Sequence, residues 1–65
     1  MEEAKAIGRA VREARTGLGL NQRDLADLAG VSERTVRALE TGVGNPGLAA
    51  LVGVARVLGL RVTVQ

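Results

Sequence analysis

The stretch LGLNQRDLADLAGVSERTVRALET, residues 18–41, decides the fold of this 65-residue chain, because it holds two short helix patterns separated by a tight turn. Asn21 is typical of a helix N-cap, and Asp24 follows three residues later, where its carboxylate can reach back to free backbone N–H groups. The first helix is therefore expected to begin near Gln22. It should end at Gly30, because glycine adopts the left-handed conformation at little cost.

The second helix pattern follows almost at once. Ser32 is another N-cap candidate, and Glu33 places a negative charge in the first turn of the helix. Val36 and Leu39 then form an apolar stripe, and only the dipeptide at 30–31 separates the two patterns. A helix, a short turn containing glycine and a second helix that crosses the first steeply make up a helix-turn-helix motif.

The segment GLNQRDLADLAGVSERTVRALETG, residues 19–42, resembles the Xre-type helix-turn-helix family of lambdoid phage repressors and bacterial antitoxins such as HipB. Upstream, IGRAVREAR at 7–15 is similar to the first helix of that family, and downstream, NPGLAALVGVARVLGL at 45–60 is similar to the fourth. The resemblance implies one mainly α domain over residues 1–65, a lambda-repressor-like bundle of four helices. The motif would occupy about 21–40, and a dimerisation helix and strand about 48–65.

The segments outside the motif predict two more helices and a strand. From about Glu2 to Thr16, apolar residues recur at helical spacing. This stripe consists of Ile7, Val11, Ala14 and Leu18. Leu48 to Leu58 is apolar nearly all round, which predicts a helix buried on more than one side. Leu60 to Gln65 alternates apolar and polar residues and is typical of a short β-strand.

Composition excludes several classes of function. The chain has no Cys and no His, so we expect no disulfide, no metal site and no cofactor. Tyr is also absent, which leaves the chain without the usual catalytic bases and nucleophiles, and we expect no enzymatic activity. The lack of any aromatic residue disfavours stacking on single-stranded nucleic acid. A net charge of +2 permits a nucleic-acid partner without requiring one.

The sequence gives no sign of a membrane or secretory segment. No apolar run reaches the roughly 20 residues that span a bilayer. The N-terminal MEEAK is acidic where a secretory signal would be basic. We therefore expect a cytoplasmic protein with no membrane partner.

One face of the second motif helix carries the side chains suited to reading DNA. Arginine can donate two hydrogen bonds to guanine, and glutamate can accept one from cytosine. The charges alone favour an ordinary solvated helix face, but the surrounding motif reverses that preference. The expected base-reading residues, which share the face opposite Val36 and Leu39, are Glu33, Arg34, Arg37 and Ala38.

The family resemblance also implies contacts outside the base-reading set. Gln22 would contact phosphate and brace Glu33 at the start of the recognition helix. Further phosphate candidates, for several of which solvent exposure is an equal alternative, are Arg23, Ser32, Thr41 and Asn45. Arg15 and Glu40 match an Arg and a Glu that pair in repressor relatives, and the alternative is two independent surface charges.

Two features predict a homodimer. Val54 and Val57 extend the apolar surface around the last helix, and a lone strand at 60–65 leaves its backbone groups unpaired unless it pairs with a second copy. The expected interface residues are Val54, Val57, Leu58, Leu60, Val62 and Val64.

The function that these features predict is a sequence-specific regulator of transcription that binds double-stranded DNA. It would be a repressor or an antitoxin-type autoregulator, and as a dimer it would bind an inverted repeat. The sequence leaves open whether a toxin or another protein is also a partner. The alternative is a protein-interaction module that has kept the fold and lost DNA binding.

Overall fold

The computed structural model describes residues 2–63 of the chain. These residues form four α-helices, in the order α1 (Glu2–Gly17), α2 (Gln22–Ala29), α3 (Glu33–Thr41) and α4 (Leu48–Leu58). The expected four-helix, mainly α fold is confirmed. No helix among the described residues is long and apolar enough to cross a membrane.

The two motif helices begin and end at the residues that the local signals indicate. The side chain of Asn21 accepts from the backbone N–H of Asp24 at 2.7 Å, and the Asp24 carboxylate accepts from the backbone N–H of Asn21 at 3.0 Å. The Ser32 hydroxyl caps α3 in the same way, by accepting from the backbone N–H three residues later. Gly30 and Gly42 end the two helices with φ of 70°. Capping side chains of this kind satisfy backbone groups that a helix end leaves free.

The core lies where all four helices meet. Each helix contributes one large, fully buried side chain to the core. In chain order these are Val11, Leu25, Val36 and Val54. α3 packs against both α1 and α2, while α4 packs mainly against α2. The recognition helix of the predicted motif is therefore supported on its inner side by two other helices.

The buried face of α1 differs from the apolar stripe that we expected. Ile7 and Leu18 are 43% and 58% exposed, so the stripe was wrong at both ends. The buried residues of α1 are Gly8, Val11 and Arg15. Gly8 accounts for the shift, because α1 and α3 approach so closely there that a Cβ at this position would lie 2.4 Å from the carbonyl oxygen of Glu40. Apolar periodicity gives no weight to a residue without a side chain.

Two of the residues expected in a dimer interface belong to the core of the single chain. Val54 and Leu58 are 0% and 8% exposed, and they pack in one cluster with Leu25 and Ala26 of α2. Their assignment to an interface with a second copy was therefore wrong. Val57 is half-buried against the same cluster.

The C-terminal segment forms no strand over its described residues, 60–63. Leu60 and Val62 are 38% and 45% exposed. Val64 lies outside the described residues. Because the expected strand would take its partner from a second copy, its pairing stays a prediction.

Candidate nucleic-acid interface

The outer face of α3 gathers the side chains that were expected to read bases. Burial of Val36 and Leu39 on the inner side turns the opposite side of the helix to the surface. Along that side Glu33, Arg34 and Arg37 are exposed, and Ala38 is half-buried. A shallow depression on this face is lined by Arg34, Arg37, Ala38, Thr41 and Val43.

The two arginines on this face carry unneutralised charge. The only ion pair within residues 2–63 joins Arg15 to Glu40, so neither Arg34 nor Arg37 is paired with a described acid. Each guanidinium has five N–H donors in a fixed planar arrangement that matches guanine edges and phosphate oxygens. The outer face of α3 can therefore offer strong donors to an anionic ligand.

Ser32 and Thr35 place two hydroxyl groups at the N-terminal end of α3. The Ser32 Oγ accepts from the backbone N–H of Thr35 at 3.0 Å, and the two hydroxyl oxygens lie 2.9 Å apart. Only one of the two hydroxyls can donate along that short contact. One hydroxyl hydrogen therefore stays available at this end of the helix, whichever way the pair is oriented, while Ser32 keeps its capping role.

Of the other phosphate candidates, Asn45 lies beside the α3 face and Thr41 is committed to its own helix. Asn45 is exposed and lines a second shallow depression together with Arg34 and Thr35. The Thr41 hydroxyl donates to the carbonyl oxygen of Arg37 at 2.9 Å. A phosphate oxygen only accepts hydrogen bonds, so this geometry disfavours Thr41 as a phosphate donor.

Arg23 and Gln22 occupy the first turn of α2. Arg23 is exposed and does not line either depression on the α3 face. Gln22 is half-buried, and its side-chain amide donates to Glu40 Oε1 at 3.2 Å. The expected brace from Gln22 to Glu33 was wrong, because the first turn of α2 lies beside the last turn of α3. Glu33 lies at the other end of α3, about 10 Å from Glu40 along the helix axis.

Arg15 and Glu40 form the buried polar connection between α1 and α3. The guanidinium donates to the two carboxylate oxygens from Nε at 2.5 Å and from Nη2 at 3.0 Å. Its Nη1 donates to the carbonyl oxygen of Leu20 at 2.9 Å. The two side chains are only 11% and 4% exposed. With the bond from Gln22, this network joins α1, α2 and α3 and fixes the orientation of α3.

The hydrogen bond with Glu40 raises the pKa of Arg15 above its ordinary value, more than burial lowers it. The guanidinium therefore stays charged throughout the neutral range. No buried polar side-chain atom among residues 2–63 lacks a hydrogen-bond partner. The described residues also contain no cluster of three or more acidic, His or Cys side chains that could hold a metal ion.

Sequence reasoning missed two residues that lie beside α3, Gly8 on its inner side and Val43 at its outer face. Gly8 brings the backbones of α1 and α3 together, and no sequence pattern marked it. Val43 is 66% exposed and lines the same depression as the two arginines. The sequence feature that could have identified Val43 is its apolar side chain in a loop otherwise rich in glycine and polar residues.

A family model described as helix-turn-helix matches residues 11–65. A protein of Methanothermobacter thermautotrophicus, named as an uncharacterized HTH-type transcriptional regulator, is 45% identical over 49 residues, which cover 75% of this chain and 71% of the relative. A protein of Archaeoglobus fulgidus with the same description is 38% identical over 52 residues, or 80% and 74% of the two chains. The regulator y4dL of Sinorhizobium fredii is 36% identical over 56 residues, 86% of this chain but 29% of that relative.

Proposed function

This chain belongs to the Xre/Cro-type helix-turn-helix family of transcriptional regulators, and on that premise we propose that it binds double-stranded DNA sequence-specifically with the outer face of α3. It acts as a repressor or an antitoxin-type autoregulator and binds an inverted repeat as a homodimer. The observation that carries the proposal is the pair of exposed arginines, Arg34 and Arg37, which have no acidic partner among the described residues.

Base reading depends on α3 entering the major groove with this face toward the base edges. Arg34 and Arg37 then donate to guanine O6 and N7, and Glu33 accepts from cytosine N4 or orients a neighbouring arginine. Ala38 is small enough to let the helix approach the bases closely. The buried network of Arg15, Glu40 and Gln22 supports this role, because it holds α3 in a fixed orientation before DNA binds.

Phosphate contacts at both sides of α3 set the position of the helix in the groove. The free hydroxyl hydrogen of the Ser32–Thr35 pair and the Asn45 amide are suitable donors beside the α3 face. Gln22 has two amide hydrogens, and only one is used by Glu40, so the other can donate to phosphate. Arg23 adds a charge contact from the first turn of α2. Such contacts fix register and orientation without reading sequence.

The proposed dimer uses the exposed apolar side chains between α1, α4 and the C-terminal segment. Ile7, Leu60 and Val62 line one groove there, and each is more than a third exposed. Val52 extends the apolar surface along α4. Pairing of residues 60–65 with the same segment of a second copy would cover this groove. Two recognition helices about 34 Å apart would then face successive major grooves.

Fluorescence anisotropy of a labelled random duplex across a salt series tests the proposal. Because DNA binding releases counterions from phosphates, affinity should fall steeply as salt rises. The Arg34→Ala/Arg37→Ala double variant should bind more weakly than wild type. The matched control is Arg9→Ala/Arg12→Ala, which removes the same charge from exposed positions of α1. Absence of binding at low salt would reject DNA binding and favour a protein-interaction module.

A further inference from the structure

Val43 is an exposed apolar side chain placed beside charged ones. It lies between α3 and α4, is 66% exposed, and lines the depression on the α3 face together with Arg34, Arg37 and Thr41. An isolated exposed valine needs no explanation on a protein surface. This one lies on the face proposed to meet DNA, so its chemistry bears on what that face can recognise.

The loop holds Val43 in a defined position. Gly42 and Gly44, on either side of it, both have positive φ, 70° and 89°, which residues with a Cβ rarely adopt. The backbone N–H of Gly42 donates to the carbonyl oxygen of Ala38 at 3.0 Å. A Cβ on Gly42 would lie 3.0 Å from the backbone nitrogen of Lys5 of α1, so the loop is packed against the domain. Val43 therefore lies in a turn shaped by two glycines and anchored to the domain at Gly42, with its side chain exposed.

The isopropyl group of Val43 limits what it can contact. It has no hydrogen-bonding group, so it gains nothing from a phosphate oxygen or from the polar edge of a base. In the major groove the apolar group available to it is the 5-methyl of thymine, which cytosine lacks. Arg34 and Arg37 select guanine on the same face, so the two kinds of contact are compatible in one site.

We propose that Val43 is a specificity-determining residue that packs on a thymine methyl group next to the bases read by Arg34 and Arg37. The inference rests on the proposed function, since it requires α3 to lie in the major groove. It adds an apolar element to a face otherwise read through charge and hydrogen bonds. Each half-site should then contain one thymine whose methyl group is needed for full affinity.

Removing the methyl group from the DNA and from the protein in turn tests this contact. A preferred duplex is first obtained by in vitro selection, and each thymine is then replaced by deoxyuridine, which lacks only the 5-methyl group. For the wild-type chain, uracil at one position in each half-site should lower the affinity for the duplex about fourfold, the effect of losing one buried methyl-sized group. Val43→Ala should show a similar loss on the thymine duplex and little further loss on the uracil duplex.

The matched control is Leu28→Ala, which shortens a side chain on α2 that is 62% exposed and does not line the depression. It should keep the full thymine preference, and circular dichroism should show both variants folded. A uracil scan with no sensitive position, or equal losses for Val43→Ala on both duplexes, would overturn the contact while leaving DNA binding in place. Failure of the wild-type chain to bind any duplex would overturn the proposed function and this inference together.

Discussion

Gly8 of α1 lies directly against the backbone of Glu40 in α3. A Cβ at position 8 would lie only 2.4 Å from the Glu40 carbonyl oxygen and 2.8 Å from its carbonyl carbon. The Glu40 side chain also pairs with Arg15, two turns further along α1. One residue of α3 thus makes both a close backbone contact and the buried ion pair with α1. The crossing of these two helices is fixed at that point.

Gly8→Ala should destabilise the protein strongly, because the backbone of α3 must move to admit the methyl group. Overpacking of this kind costs about 3 kcal/mol, a large part of the roughly 3 to 10 kcal/mol expected for a domain of this size. Urea unfolding followed by far-UV circular dichroism measures the change, since the chain has no aromatic fluorophore. The control is Gly17→Ala in the same helix, where a Cβ would meet nothing within 4 Å. That change should stabilise by about 0.5 to 1 kcal/mol, and equal effects of the two would contradict the close contact.

The helix boundaries could be predicted from sequence because their causes are local. Asn21 with Asp24, and Ser32 with the N–H of Thr35, satisfy helix-end groups within four residues of one another. Glycine after α2 and after α3 ends each helix through its own φ. None of these effects depends on what the helix packs against, so a single sequence carries them.

The packing faces could not be predicted to the same extent, because they depend on which helices meet. Gly8 is invisible to hydrophobic periodicity, yet it sets the buried side of α1. Val54 and Leu58 were assigned to a dimer because α4 is apolar nearly all round, but α2 of the same chain covers them. For Gln22 the sequence indicated a polar role, and only the arrangement of α2 against α3 identifies Glu40 as its partner.

Breaking the Arg15–Glu40 pair from one side should cost more than breaking a surface ion pair. Arg15→Met leaves a carboxylate that is 4% exposed without its counter-charge, and Glu40→Gln leaves a guanidinium that is 11% exposed. Each change should lower the free energy of unfolding by about 3 kcal/mol or more, whereas exposed pairs typically contribute about 0 to 1. The double variant should lose less than the sum of the two. Arg12→Met, at an exposed position of α1, is the control, and strictly additive losses would refute the coupling.

Arg34→Ala and Arg37→Ala should each weaken binding to the preferred duplex by about 1 to 3 kcal/mol and relax selectivity at one position. The physical reason is the loss of a bidentate donor that distinguishes guanine from the other bases. Competition binding against duplexes changed at single positions measures both effects. Arg9→Ala, which removes a charge from the exposed side of α1, should leave selectivity unchanged. Uniform weakening on all duplexes would instead assign the two arginines to phosphate contacts.

The groove between α1, α4 and the C-terminal segment is where a second copy should bind. Leu60 and Val62 leave 38% and 45% of their surface exposed there, beside Ile7 at 43%. A domain of this length buries a limited fraction of its own surface. A second copy that covers the groove should therefore also stabilise the fold of each chain. Stability should consequently rise with protein concentration.

Val62→Asp should convert the proposed dimer to a monomer, because a carboxylate placed in the covered groove would lose its hydration without gaining a partner. Val62 is 45% exposed in the single chain, so the monomer itself should keep its fold and its circular dichroism spectrum. Sedimentation equilibrium at micromolar concentration measures the association directly. Leu28→Asp is the control, since Leu28 is 62% exposed and does not line the groove.

The monomeric variant should bind a single half-site as the wild type does. It should lose the added affinity that the dimer gains from an inverted repeat, in which the centres of the two half-sites lie about 34 Å apart. A wild-type chain that sediments as a monomer, or a Val62→Asp variant that still binds the inverted repeat with full affinity, would refute this arrangement.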